Sequence, residues 1–205
     1  MLQLWKSIVI PRLDYCSQLW NPHQSNLITQ LEDLQKAFIR NIYGFRHKSY
    51  WEALKDLGLY SLQRRRDRYQ IIYLWSILEN QVPNIKSDGD VLIKVQSDAN
   101  SRLGRTIQTK PLKNTRFGNL RFNSLPFHGA RLFNHLPKDV RNITDCPKIA
   151  FKASIDTLLS TIIDEPQILS SHLSSQVYSN SLLAHLTAAS SASYRRGKIN
   201  LVGDR

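Results

Sequence analysis

Cationic side chains are the residues of this sequence most able to do chemistry, and they occur in two groups. The first group lies within five positions and comprises Arg64, Arg65, Arg66 and Arg68. The second group comprises Arg102, Arg105, Lys110, Lys113, Arg116 and Arg121. Guanidinium and ammonium groups bind phosphate oxygens, and each phosphate contact releases condensed counterions. Both groups therefore favour the binding of a polyanion such as the backbone of RNA or DNA.

The charge of the chain is concentrated in its second half. The formal net charge is +12, and the segment Ala99–Arg141 holds nine basic residues against a single acid, Asp139. Phe117 and Phe122 are interleaved with these cations, and this pattern can combine phosphate contacts with base stacking on single-stranded RNA. Arg105 and Arg116 are the preferred contacts. The alternatives are a solvated helix face for the first group and a flexible basic loop for the second.

Motifs for catalysis and metal binding are missing from the sequence. The two cysteines and six histidines lack the spacing of a zinc site. No glycine-rich phosphate loop, G-x-S-x-G elbow or Asp-Asp pair occurs. Glu32 and Asp33 are adjacent acids on the polar side of a predicted helix, where solvated charge is the expected role. The sequence alone predicts no catalytic residue, no metal site and no cofactor.

Hydrophobic periodicity predicts a mainly α protein that begins with a small helical bundle over residues 1–80. Its second helix is expected to be capped by Ser25 or Asn26 and to end at Gly44. The apolar stripe expected to face the core comprises Leu27, Leu31, Leu34, Phe38 and Ile42. Ser49 and Glu52 predict a capping box for a third helix. A fourth helix runs from Ser61 to about Asn80 and is apolar on all sides in its second half, so we expect it to be buried.

The composition changes after residue 80, which predicts a linker over 81–98 and a basic, mostly helical region over 99–163. A short strand is allowed within Arg102–Thr109, and helices are expected around Ser124–Leu136 and from Pro147 to about Ile163. The Ser-rich tail over 164–205 is expected to be disordered, although three leucines in it allow a marginal helix. Cys16 and the tryptophans at 5, 20, 51 and 75 are expected in the core.

Two linked motifs in Ser7–Gly44 resemble the thumb of jockey-like non-LTR retrotransposon reverse transcriptases. The first motif is carried by Ser7, Val9, Pro11, Leu13, Tyr15 and Trp20, and the second by Leu31, Leu34, Gln35, Arg40, Ile42 and Gly44. The similarity continues through a turn formed by Leu54, Leu57, Gly58, Leu59, Ser61 and Leu62. It extends to an element with Phe127, Arg131, Asn134, Leu136, Pro137 and Val140, and covers about Leu4–Ile163.

The resemblance implies part of an RNA-directed DNA polymerase of a transposable element. Its fingers and palm would precede Met1, and Mg²⁺ would be held only in that missing palm. The fragment would grip the RNA and DNA backbone of a template–primer duplex and of element RNA, with the polymerase palm as its protein partner. It would be inactive by itself, intracellular in the cytoplasm or nucleus, and not bound to a membrane. The alternatives are a helical protein-interaction domain and a decayed element remnant with no selected function.

Overall fold

Helices make up most of the protein, as the sequence predicts. The computed structural model describes residues 1–42, 44–85, 91–109, 118, 121–166 and 180–187. It is 59% helical and 4% strand, which confirms the mainly α class. Within these residues, no helix is both long enough and apolar enough to cross a bilayer.

The N-terminal helix bends around a proline. It consists of an α-helical turn Leu2–Leu4, a π-helical turn Trp5–Val9 and an α-helical segment Ile10–Asp14. Pro11 has no N–H with which to continue the α-helical ladder. The chain widens one turn earlier, where the N–H of Ile10 bonds to the carbonyl of Trp5, and a π-turn of this kind is a common way to absorb such a defect.

The next three helices are Ser17–Trp20, Ser25–Arg40 and Tyr50–Asp56. The predicted capping box of the last is confirmed: the Glu52 N–H donates to Ser49 Oγ, and the Ser49 N–H donates to Glu52 Oε2. Gly58 follows this helix with a φ of +60°, a conformation that glycine adopts without strain.

The Ser25–Arg40 helix faces the core with a different side from the predicted one. Its buried residues are Glu32, Gln35 and Ile39, whereas Leu27 and Leu34 of the apolar stripe are 40% and 53% exposed. Gln24 is its N-cap residue and makes no side-chain cap, so neither Ser25 nor Asn26 has the predicted role. The helix ends at Arg40, before Gly44. The predicted orientation was therefore wrong for Leu27 and Leu34, whereas Phe38 packs against the smaller core and its ring stacks on that of Trp5.

The Leu62–Leu78 helix, which we call the central helix, is buried along its whole length. Its second half supplies Ile71, Ile72, Leu74, Trp75 and Ile77 to the larger hydrophobic core, as predicted. The indole ring of Trp75 stacks on the ring of Phe151 with a centroid separation of 4.4 Å. A smaller core around Trp5, Ile39 and Leu54 lies among the preceding helices.

The region after the central helix folds onto it. Val95–Ser97 and Thr106–Ile107 form a short antiparallel hairpin in which Val95 pairs with Ile107. A π-helical turn Leu125–Gly129 continues as the helix Ala130–His135, and the helices Lys138–Arg141 and Lys148–Ser160 follow. Ile93, inside the predicted 81–98 linker, is 2% exposed and belongs to the larger core. The larger core thus extends across the predicted linker between residues 1–80 and 99–163.

Two expectations about single residues were wrong, whereas the helix that the three tail leucines allowed is present. Cys16 is exposed and has a φ of +50°, and Trp20 is 40% exposed, because both lie where the chain turns between short helices. Residues 182–187 of the Ser-rich tail form a helix whose Leu182 is 0% exposed. This apolar face completes the larger core, so disorder does not describe 180–187. Residues 167–179 and 188–205 lie outside the described part of the chain.

The packing of the tail helix can be tested by a pair of identical substitutions. Leu182→Ala should lower the free energy of unfolding by about 2–4 kcal/mol, because it leaves a cavity in the larger core. Leu19→Ala is the matched control, since Leu19 is 85% exposed, and should change the free energy by less than about 0.5 kcal/mol. Urea unfolding followed by circular dichroism measures both. Equal midpoints for the two variants would contradict the packing of this helix.

Candidate nucleic-acid interface

Two of the four clustered arginines lie inside the protein. The Arg64 side chain is fully buried, and its guanidinium donates to the carbonyls of Ile162 and Ile163 at 3.3 and 2.9 Å. Arg66 is 2% exposed, and its Nε donates to Asn21 Oδ1 at 2.9 Å. Burial lowers the pKa of both guanidinium groups. The prediction that Arg64 and Arg66 track phosphates is corrected, because neither side chain reaches the surface.

The other two arginines are held by carboxylates. Arg65 donates to Asp14 Oδ2 at 2.5 Å, and Arg68 makes two parallel bonds to Asp156 at 2.5 and 2.7 Å. Their side chains are only 20% and 16% exposed. The hydrogen bonds to Asp156 raise the pKa of Arg68. Their donors are committed to acids of this chain, so the predicted phosphate-binding face is not formed by Arg65 and Arg68.

Carboxylates also occupy the N-terminus of the central helix, a position that otherwise attracts anions. Glu32 Oε1 accepts from the N–H of Gln63 at 2.7 Å, and Asp164 Oδ2 accepts from the N–H of Ser61 at 2.7 Å. The Ser61 hydroxyl accepts from the N–H of Arg64 at 3.2 Å. The helix end is therefore already neutralised by acids from two distant segments.

Glu32 is buried rather than solvated, which corrects its predicted role. It is 6% exposed, and the Tyr50 hydroxyl donates to its Oε2 at 2.6 Å. Burial is the main cause that raises the pKa of Glu32, while its hydrogen bonds and the charge of Arg66 oppose that rise. This cap explains why the Ser25–Arg40 helix turns its polar side inward.

Arg105 is likewise a structural residue. It is 8% exposed, and it donates to Glu79 Oε1 at 2.5 Å and to the carbonyl of Leu78 at 2.8 Å. These contacts cap the C-terminal end of the central helix, where a cation complements the helix dipole. Arg105 is therefore corrected as a preferred RNA contact.

Positive charge does gather beside the hairpin, at the exposed Arg102 and Lys138 and the partly buried Arg141, which we call the hairpin cluster. Lys138 Nζ lies 3.4 Å from the carbonyl oxygen of Arg102, and the Arg141 guanidinium donates to the carbonyls of Leu103 and Arg105 at 3.2 Å. Arg102 and Lys138 are exposed, and Arg102 has no acidic partner among the described residues. Lys138 and Arg141 thus lie on one short helix together with the acid Asp139, and Arg102 lies on the loop that contacts this helix.

The loop that carries Arg102 depends on a glycine. Gly104 has a φ of +72°, and a Cβ there would lie 2.8 Å from Asn142 Oδ1 and 2.9 Å from Lys138 Cγ. Asn142 in turn accepts from the N–H of Arg105 and donates to the carbonyl of Ala99. The loop is therefore fixed against the Lys138–Arg141 helix rather than loosely attached.

A second exposed feature combines charge with an aromatic ring. The guanidinium carbon of Arg131 lies 4.3 Å from the ring centroid of Phe122, which is 41% exposed. Arg121 is the exposed residue next to this ring. Stacked arginine and phenylalanine side chains are a common platform for nucleic-acid bases.

Of the ten predicted contacts, Arg102 and Arg121 are exposed, Arg64, Arg66 and Arg105 are buried, and Arg65 and Arg68 are partly buried and paired with acids. Lys110, Lys113 and Arg116 lie outside the described residues, as does Phe117. The basic segment Ala99–Arg141 includes Lys138, Arg141 and Arg131, but the sequence pattern does not predict them as nucleic-acid contacts. Their importance depends on contacts made across 36 or more positions of sequence or with a neighbouring ring. No local pattern marks such contacts.

Comparison with protein-family models, with curated proteins and with solved structures finds no match. Among the described residues, no group of three His, Cys, Asp or Glu side chains is arranged to hold a metal ion. The candidate interface is therefore argued from its charge and geometry alone.

The buried cap at Glu32 makes a prediction about pH. Because the folded pKa is raised, the folded state holds the proton more tightly than the unfolded state. Wild-type stability should therefore fall, relative to Glu32→Gln, as the pH rises above the unfolded value of 4.5. The difference in the free energy of unfolding between the two proteins should grow by about 1.4 kcal/mol for each unit by which the pKa of Glu32 is raised.

The measurement is urea unfolding of both proteins between about pH 4 and pH 8. Glutamine keeps the acceptor for Gln63, and its amide can donate to the Tyr50 hydroxyl, so the variant should fold. Burial also raises the pKa of Asp67, but that residue is present in both proteins, so the comparison isolates Glu32. A stability difference that stays constant over this pH range would contradict a raised pKa at Glu32.

Proposed function

We propose that this chain is the nucleic-acid-gripping part of a non-LTR retrotransposon reverse transcriptase, comprising its thumb and post-thumb region without the catalytic palm. The chain contacts the phosphate backbone of RNA or DNA through the hairpin cluster and Arg121, and not through the arginines of the central helix. These residues hold no Asp-Asp pair, so we assign nucleotide addition and its Mg²⁺ to a palm domain and not to these helices.

The observation that supports this proposal most is the hairpin cluster. Arg102 and Lys138 are exposed beside a loop that Gly104 and Asn142 hold in place. A rigid cationic surface of this kind favours contacts to phosphates, which position a strand without selecting its sequence. The motifs in Ser7–Gly44 and the mainly α architecture agree with a polymerase thumb, which grips a duplex by its backbone.

Binding to a generic RNA should depend steeply on salt if phosphates are neutralised. Fluorescence anisotropy with a labelled oligonucleotide, titrated between about 50 and 200 mM salt, gives the slope of log affinity against log salt concentration. The double variant Arg102→Gln/Lys138→Gln should reduce that slope by about 1–2 and weaken binding at low salt by about tenfold.

The matched control is Lys6→Gln/Lys55→Gln, which removes the same two charges from exposed positions on the N-terminal helix and the Tyr50–Asp56 helix. It should keep most of the slope. Affinity that does not change with salt, or an equal loss in both double variants, would overturn the proposed interface.

A second candidate function is protein interaction, and one observation favours it. Leu27 and Leu34 lie two turns apart on the outer face of the Ser25–Arg40 helix, and Leu4 and Ile8 are 60% and 49% exposed on the N-terminal helix. An amphipathic helix that turns its leucines outward is typical of a surface covered by a partner. In the first proposal that partner is the polymerase palm, and in the second it is an unrelated protein.

Both candidates predict that the isolated chain exposes apolar surface. The wild type should bind the dye ANS, and Leu27→Glu/Leu34→Glu should reduce the fluorescence enhancement by about half or more without lowering the thermal midpoint, because both side chains are already exposed. Ile149→Glu/Ile163→Glu is the control, since these residues are 78% and 73% exposed at the two ends of a different helical segment. No dye signal from the wild type would argue against a covered face.

A further inference from the structure

A cavity with both polar and apolar walls opens beside the Phe122–Arg131 stack, and none of the hairpin-cluster residues lines it. Its volume is about 360 Å³, and it lies between the 21–28 segment, the start of the central helix, the turn before Ala130–His135 and the 182–187 helix. That volume is at the small end of ligand sites, which suits one small planar group. Four elements that are distant in sequence contribute to its walls, so the cavity is a property of the fold and not of one loop.

The polar wall of this cavity offers hydrogen-bond acceptors. Asp67 is 2% exposed, and both hydrogen bonds that it accepts from described residues, from Ser181 Oγ and the N–H of Leu182, end on Oδ2. Oδ1 therefore retains acceptor capacity. An ionised carboxylate that is buried with few donors is costly, and a ligand that brings N–H groups relieves that cost.

His128 adds a second acceptor. Its Nδ1 lies 2.9 Å from Gln70 Oε1. In the tautomer that donates its Nδ1–H to Gln70 Oε1, Nε2 is left as an acceptor. Burial lowers the pKa of His128, which keeps the ring neutral. The cavity thus has two acceptors on one side and a stacked ring and guanidinium at Phe122 and Arg131 on the other.

We propose that this cavity binds one guanine base, with the carboxylate of Asp67 accepting from the Watson–Crick edge and the Phe122–Arg131 pair stacking on the ring. Guanine presents two adjacent donors, N1–H and N2–H, whereas adenine, cytosine and uracil present only one donor group on that edge. Arg121, exposed next to the stack, is placed to meet the phosphate of the same nucleotide. The base would belong to a strand held by the proposed interface, so this inference rests on the proposed function for the strand that supplies the base. The hydrogen bonding of the cavity does not depend on that function.

The test uses the full chain and four labelled pentanucleotides of uridine whose central base is G, A, C or U. The strand with G should bind about tenfold or more tightly than the other three, as expected for one two-donor contact. Asp67→Asn keeps the shape and an acceptor for Leu182 but cannot accept both donors. It should reduce the preference for G to less than about twofold, with most of the loss in the affinity for the strand with G.

Phe122→Ala is the second variant. Phe122 is 41% exposed, so this variant should fold even if Asp67→Asn does not. It should weaken the strand with G more than the all-uridine strand. GMP and AMP, titrated separately by NMR, distinguish a free nucleotide from a base within a strand. Binding of GMP as tight as that of the strand with G would assign the site to a free guanine nucleotide.

The failures of the two proposals can be told apart. Salt-dependent binding of all four strands with equal affinity overturns the guanine site and leaves the proposed interface standing. If no strand binds, the proposed interface is overturned, and the GMP titration then tests the guanine site by itself. Binding of GMP that Asp67→Asn removes supports the guanine site. No binding of GMP overturns it.

Discussion

The central helix is buried along its length, and its four clustered arginines all need oxygen atoms to accept their hydrogen bonds. The rest of the structure depends on meeting that need. Burying a guanidinium without a partner costs several kcal/mol, and removing one member of a buried pair typically costs about 3–5 kcal/mol. Each arginine therefore requires a particular segment to be in place. The segments meet the helix through Asp14, Asn21, Asp156, the 162–163 carbonyls and Asp164. The N-terminal helix, the 21–28 turn and the C-terminal helices are thereby oriented around one element.

This use of arginine separates the net charge of the chain from the charge that a ligand meets. The sequence carries +12, but the four clustered arginines and Arg105 are committed to internal acids, amides or carbonyls. Because electrostatic attraction to a polyanion depends on accessible cations, a count of basic residues overstates the first half of the chain as a binding surface. The second half keeps Arg102, Arg121 and Lys138 on its surface. Lys6, Arg12 and Lys55 of the first half are exposed as well, so a polyanion meets accessible cations in both halves.

Local signals in the sequence predicted local structure well. The capping box at Ser49, a helix within Ser124–Leu136 and the buried second half of the central helix follow from capping and periodicity rules. The orientation of the Ser25–Arg40 helix was missed, because it is decided by a carboxylate that caps another helix 31 positions away. The role of Asp164, 103 positions from Ser61, was missed for the same reason. Pairing across such distances leaves no periodic trace.

The orientation of the Ser25–Arg40 helix about its own axis links stability to recognition. Glu32 and Gln35 face inward because the central helix and Tyr60 offer them hydrogen-bonding groups, and Gln35 Nε2 donates to the Tyr60 carbonyl at 3.0 Å. With that side fixed, the 3.6-residue period forces Leu27 and Leu34 outward. The polar contacts therefore do two things at once: they hold the helix to the fold, and they present its apolar stripe to the outside. A partner that covered this stripe would gain hydrophobic burial without disturbing any of the internal hydrogen bonds, so docking and folding are separable in this protein.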